Sequence, residues 1–236
     1  MPTNSLNHST TEFRFKAVLW DMDGTLIDSE PIWIEQERVL MEHLGVVWSD
    51  EDAIHCIGGP MERVDSFMRS KLPLEHHNRF APLELTNILL ERMSVRLAEG
   101  VSFTPGAHSL LQEFHQLSVP QALVSASARP LVDAALQSIG DEYFAITISD
   151  NDVSNSKPDP EGYLKAADHI GVPIDQCLVI EDSKTGITAA IEAGAFVLGL
   201  PHFAELPSGE RVLHRKSLEG LSLVDLHDLF APIRRR

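Results

Sequence analysis

Four short apolar runs recur along the chain, and each gives way at once to polar residues. They are Ala17-Val18-Leu19-Trp20 before Asp21, Ala122-Leu123-Val124 before Ser125, Leu178-Val179-Ile180 before Glu181, and Phe196-Val197-Leu198. Runs this short, continuous and β-branched suit strands buried on both faces of a parallel sheet. Ala145-Ile146-Thr147-Ile148 is a weaker fifth candidate. Between the strands the apolar positions change to helical spacing. Thr104 and Pro105 predict an N-cap and a first-turn proline, with Ala107, Leu110, Leu111, Phe114 and Leu117 on one face. Asp159-Pro160 opens another helix that ends near Gly171, and a third runs from Lys184 to Ala193, stopped by Gly194. Strands alternating with helices predict an α/β fold, a doubly wound parallel sheet with right-handed crossovers. Such sheets bind ligands at the carboxyl ends of their strands, where the polar residues after the apolar runs would stand.

One segment breaks the alternation. From about Ser29 to Ser102 there is helical periodicity and no convincing strand. Ser29 and Pro31 start a helix through Trp33, Leu40 and Leu44, closed by Gly45, and a second helix covers Leu83 to Leu97. Gly58-Gly59-Pro60 lies between them as a turn or hinge. This predicts an all-helical cap over residues 29–102, inserted into a core made of 1–28 and 103–236, with 1–14 a flexible lead. The alternative is that these helices merely flank the sheet.

A chain of 236 residues is long enough for such a core with a smaller insertion. Its 19 Lys and Arg against 35 Asp and Glu give a formal net charge of −16 and a pI near 5.0. That surface repels phosphate backbones and argues against a nucleic-acid partner. An anionic substrate would need a local positive site to hold it against the same field. The first eleven residues lack the apolar centre of a signal peptide, and no apolar run approaches the ~20 residues needed to span a membrane. These features predict a cytoplasmic protein with no membrane partner; a monomer is expected, though the sequence itself leaves the oligomeric state open. Cys56 and Cys177 fit no metal or disulfide spacing and read as reduced, semi-buried residues. Arg234-Arg235-Arg236 reads as a frayed, solvated end.

The strongest chemical signal is Asp21-Met22-Asp23-Gly24-Thr25, directly after the first apolar run. Two carboxylates two residues apart at a strand end are not needed for folding, and burying either without a partner is costly. A glycine turn can aim both at one point. One could then attack phosphorus as a carboxylate nucleophile, while the other protonates the leaving oxygen and later activates water. Taken alone, the pair is equally compatible with an acidic surface turn. Glu181-Asp182 supplies more oxygen ligands at the same sheet edge. Mg2+ takes hard oxygen ligands and keeps several waters, so Asp21, the Asp23 carbonyl and Asp182 form a candidate site, with Glu181 reaching the ion through water. Ser125 offers a hydroxyl and Ala126 a backbone N–H at a helix start, and Lys157 before Pro158 offers a point charge; all three suit a phosphoryl group. Singly, each is bland.

At these residues the sequence resembles the haloacid dehalogenase superfamily. The matching motifs are Asp21-x-Asp23-Gly24-Thr25, Ser125, Lys157-Pro158 and Glu181-Asp182, in that order and over most of the chain. The run from Asp21 to Trp33 is most similar to bacterial 2-deoxyglucose-6-phosphate and hexitol-phosphate phosphatases. The resemblance implies a Rossmann-like core with a small helical cap, Mg2+, and a small phosphorylated substrate such as a sugar or polyol phosphate. It also implies roles: Asp21 the nucleophile, Asp23 the general acid and base, with Thr25 among the phosphate-binding residues. The β-phosphoglucomutase branch carries a histidine at the place of Trp33 and a basic residue near Met61, whereas this chain reads Met61-Glu62-Arg63 there. Hydrolysis is therefore expected over phosphomutase chemistry. A rival from another class is a non-catalytic phospho-ligand-binding protein, which would have no reason to keep Asp21, Asp23, Lys157 and Asp182 together.

Overall fold

The computed structural model describes residues 15–57, 60–76, 79–201 and 205–233. The expected flexible lead, the basic end and the Gly58-Gly59 hinge therefore lie outside the described residues. The core is a six-stranded parallel sheet: β1 (Ala17–Trp20), β2 (Gln121–Val124), β3 (Ile146–Ile148), β4 (Cys177–Glu181), β5 (Phe196–Gly199) and β6 (Val212–His214). The order β3-β2-β1-β4-β5-β6 reverses direction between β1 and β4, as in a doubly wound Rossmann-type sheet. All five expected strands are present. The sixth was missed because its residues are only half-buried at the sheet edge, so no continuous apolar run marks it.

The strands are apolar on both faces because helices cover both. Val18 and Trp20 join one buried cluster, and Ala17 and Leu19 the other. The first cluster packs under α5 (Ala107–Gln116), α6 (Arg129–Ile139) and α9 (Leu223–Phe230); the second packs under α7 (Glu161–Ile170) and α8 (Lys184–Ala193). Gly171 and Gly194 close α7 and α8 in the left-handed conformation, as the sequence predicted. The start of α5 differs from expectation. Its N-cap is Gly106, not Thr104; an added Cβ there would overlap the Leu218 backbone. The Thr104 hydroxyl instead donates to the Thr25 carbonyl, tying α5 to the turn after β1. Leu117 ends the helix exposed rather than on its buried face.

Between β1 and α5 the elements among the described residues are all helical: α1 (Glu30–His43), α2 (Asp50–Cys56), α3 (Met61–Lys71) and α4 (Glu84–Glu99), with a short 3-10 turn before α4. The sequence predicts α1 and α4 within an all-helical segment and marks only the Gly58-Gly59-Pro60 turn between them. Short α2 escaped notice although Ser49 and Asp52 form a capping box at its start, and α3 carries only three buried residues. Apolar residues of this segment, among them Trp48, Met68 and Met93, are continuous with the core cluster below α6. The Ser138 hydroxyl on α6 donates to the Leu97 carbonyl of α4 at 2.6 Å. Among the described residues no helix is long and apolar enough to cross a membrane.

Candidate active site

Strands β2, β1 and β4 are neighbours, so the residues that follow them converge at one edge. Asp21 leaves β1, Ser125 leaves β2, Glu181 ends β4 and Asp182 follows it. The loop after β1 is closed by Leu26 and Ile27 N–H groups donating to the Met22 carbonyl and by Gly24 N–H donating to Ile27. Gly24 takes φ +80°, and a Cβ there would overlap the Asp182 carboxylate. Glycine is thus required twice over, by backbone conformation and by the close approach of β4.

Lys157 binds the cluster together. Its side chain is 6% exposed, and its ammonium donates to Asp21 Oδ1 at 2.6 Å, Glu181 Oε1 at 2.8 Å and the Val124 carbonyl at 2.8 Å. The peptide joining it to Pro158 is cis. Burial pushes the Asp21 carboxyl well above the usual range, and the charges of Glu181 and Asp182 push it further, against Lys157. Burial works to lower the Lys157 pKa, but Asp21 and Glu181 outweigh it and hold the ammonium charged. Asp21, Glu181 and Asp182 place carboxylate oxygens within 4.8 Å of one another, the one such group of three among the described residues. Three carboxylates around a single ammonium leave uncompensated negative charge, which a divalent cation among hard oxygen ligands would offset. Asp21 and Asp182 therefore fit Mg2+ as carboxylate ligands, with Glu181 adding to the negative charge around them.

The other expected site residues fall as follows. Asp23 is partly buried, and both its oxygens accept hydroxyl bonds, Oδ1 from Ser29 at 2.6 Å and Oδ2 from Ser127 at 2.7 Å. Thr25 is fully buried and its hydroxyl donates to Asp182 Oδ1 at 2.9 Å. In this arrangement its one hydroxyl proton is directed at Asp182. Ser125 is buried, its Oγ accepting from the Ser127 N–H at 2.9 Å. Ala126 is exposed with no hydrogen-bond partner among the described residues, and α6 begins three residues later rather than at Ala126. Glu181 is fully enclosed and bonded to Lys157, Tyr163 and Ser183.

Ser29, Ser127, Tyr163 and Ser183 were not expected here. Ser29 was read as a helix cap, yet its hydroxyl makes no capping bond and turns to Asp23. Ser127 lies two residues after Ser125, a spacing that could have drawn attention. Arg129 grips Thr147, Asp133 and Asp152, bracing α6 against β3. Arg63 donates to the His55 and Ile57 carbonyls, and Trp33 packs half-buried against the apolar cluster.

Residues 18–200 match the family model of the haloacid dehalogenase-like hydrolases, and the chain belongs to that family as a phosphatase. It is 31% identical over 190 residues to validoxylamine A 7'-phosphate phosphatase of Streptomyces hygroscopicus subsp. limoneus, covering 79% of this chain and 85% of the relative. Hexitol phosphatase A of Escherichia coli is 28% identical over 219 residues, covering 89% and 94%. Among solved structures, CbbY from Rhodobacter sphaeroides in complex with phosphate superposes with a TM-score of 0.71 at 26% identity, covering 90% and 99%. A putative β-phosphoglucomutase from Thermotoga maritima shares the fold, with a TM-score of 0.72 at 23% identity over 93% and 100%.

Proposed function

We propose that the protein is a Mg2+-dependent phosphomonoester hydrolase that acts on a small phosphorylated metabolite, a sugar or polyol phosphate, through a phosphorylated Asp21. The observation that carries this reading is the pairing of a buried Lys157 ammonium with Asp21, two residues from a second carboxylate on the same glycine turn. Asp21 Oδ attacks phosphorus, and the bond from phosphorus to the leaving oxygen breaks. Asp23, once protonated, gives its proton to that oxygen. Asp23 then takes a proton from a water that attacks the aspartyl phosphate, releasing inorganic phosphate and restoring Asp21. Each Asp23 oxygen accepts one hydroxyl bond, which leaves a lone pair on the carboxyl free to carry that proton. Lys157, the Ser125 hydroxyl and the Ala126 N–H stabilise the transferring group. Asp21, Asp182 and the Asp23 carbonyl would hold Mg2+, which supplies charge to offset repulsion between the carboxylates and a dianionic substrate.

Residues 29–102 serve as a cap that excludes water during the reaction, and the enzyme works as a cytoplasmic monomer. Hydrolase is favoured over mutase because Arg63 is bonded to backbone carbonyls and Trp33 is packed in the apolar cluster, so neither is set to hold a second phosphate. Phosphate release from p-nitrophenyl phosphate, dependent on Mg2+ and abolished by chelation, tests catalysis; a panel of phosphorylated metabolites then ranks substrates. Glucose 1-phosphate and glucose 6-phosphate, with and without a bisphosphate primer, test the mutase alternative, and isomerisation faster than hydrolysis would overturn the hydrolase reading.

A further inference from the structure

Glu181 is the most enclosed acidic group at the site, with no exposed surface. Its Oε1 accepts from the Lys157 ammonium at 2.8 Å and from the Tyr163 hydroxyl at 3.1 Å. Its Oε2 accepts from the Ser183 N–H at 2.8 Å and the Ser183 hydroxyl at 3.0 Å. An ionised carboxylate has about four acceptor positions, and here all are filled. Such a group has no lone pair left for a metal ion or a bridging water. Glu181 thus acts as a counter-charge rather than as a ligand.

Two anions then compete for one ammonium. Lys157 has three N–H donors, one each for Asp21, Glu181 and the Val124 carbonyl, and the Tyr163 ring covers it with the ring centroid 5.0 Å away. Tyr163 lies on α7, 1% exposed, among Val124, Ala166, Val179 and Ile187 of the second apolar cluster. A phenylalanine would fill that space equally well. What the hydroxyl adds is a second donor to Glu181 Oε1, the oxygen that Lys157 shares. With that oxygen partly satisfied, more of the ammonium's charge is left for Asp21.

We infer that Tyr163 is a positioning residue for the reaction, which through Glu181 sets how the Lys157 ammonium is divided between Glu181 and the attacking Asp21. The inference rests on Asp21 being the nucleophile. Tyr163→Phe keeps the ring and removes only the hydroxyl, so it isolates this effect. In the metal-free protein, the 15N-labelled Lys157 ammonium should change its chemical shift and exchange its protons with water several-fold faster than in wild type. With p-nitrophenyl phosphate, kcat should fall about tenfold, the scale of one lost hydrogen bond to a charged group. KM, the Mg2+ concentration for half-activation and Tm should stay close to wild type. An unchanged Lys157 resonance together with kcat within twofold of wild type would overturn the inference. So would a loss of kcat matched by weaker Mg2+ activation, since that would make Glu181 part of the metal site. If wild type itself fails to release phosphate, the catalytic reading falls, while the Lys157 resonance still decides the Tyr163 claim. Should Tyr163→Phe not fold, the same resonance in Tyr163→Met, which removes hydroxyl and ring together, must shift further than any neighbouring signal, or the inference fails.

Discussion

Asp182 and Thr25 carry the clearest division of labour at the scale of single residues. Asp182 is a ligand in the proposed metal site, and the Thr25 hydroxyl bonded to its Oδ1 fixes its direction. Asp182→Ala should raise the Mg2+ concentration needed for half-activation by tenfold or more, a range in keeping with loss of a carboxylate ligand or its orienting partner. Thr25→Val, which keeps the shape but not the hydroxyl, should produce a smaller rise, with KM for the phosphate ester little changed. A Thr25→Val variant with an intact Mg2+ requirement and a raised KM would return Thr25 to phosphate binding, where its sequence motif had placed it. The motif marked Thr25 as a site residue but not its partner, because the contact runs across 157 positions of chain between β1 and β4. The same limit applies to Ser29 and Ser127. Their bonds to Asp23 depend on how two loops meet, which neither apolar periodicity nor local spacing records.

Among the elements, α8 depends most closely on the site. Its first turn rests on Glu181: Ser183 caps the helix by accepting from the Gly186 N–H at 3.0 Å while donating to Glu181. A Cβ at Gly186 would coincide with the Glu181 carboxylate. Gly186 has ordinary helical backbone, so the glycine is required for space and not for conformation. Gly186→Ala should therefore cost stability, by about 1–3 kcal/mol as for other forced overlaps in a packed core, and lower activity as well. Thermal unfolding and phosphate release measure both, and a variant with wild-type Tm would show that the helix can lift off Glu181 freely. Elements that bury a continuous apolar run were legible in the sequence, as β1, β2, β4 and β5 show. Elements whose burial is partial, such as β6 and α3, were not, because only three α3 residues are buried and none in β6. Short α9 likewise went unnoticed, although Leu223, Leu226 and Phe230 are buried at helical spacing.

At the scale of the whole molecule, two buried titratable groups remote from the catalytic cluster make stability depend on pH in opposite directions. Glu37, on α1, is 5% exposed, and burial raises its pKa to about 7 despite a bond from Trp48 Nε1. Its folded-state pKa lies above the unfolded value, so its neutral form favours folding. That contribution is complete below about pH 4.5 and is lost as pH rises through 7. His227, stacked on Phe15 with ring centroids 4.1 Å apart, is lowered by burial to about 4. Its contribution is complete above the unfolded value near 6.5 and is lost as pH falls toward 4. Glu37→Gln keeps an acceptor for Trp48 and removes the charge. It should leave Tm unchanged at pH 5 and raise it at pH 8 by several degrees, given roughly 2–4 °C per kcal/mol for a chain of this size. Equal Tm changes at both pH values would show that Glu37 does not change protonation in this range. Nothing in the sequence marked either residue, since a glutamate on a predicted helix reads as solvated until its burial is known.

The proposed reaction turns on a covalent bond between Asp21 and phosphorus. Rapid acid quenching of the enzyme during turnover of a phosphate ester, followed by peptide mass spectrometry, looks for that bond directly. Wild type should carry one phosphoryl group on the peptide containing Asp21, removable by hydroxylamine, and Asp21→Asn should carry none and lose essentially all turnover. Full turnover without any phosphorylated Asp21, or an Asp21→Asn variant within tenfold of wild-type activity, would contradict it.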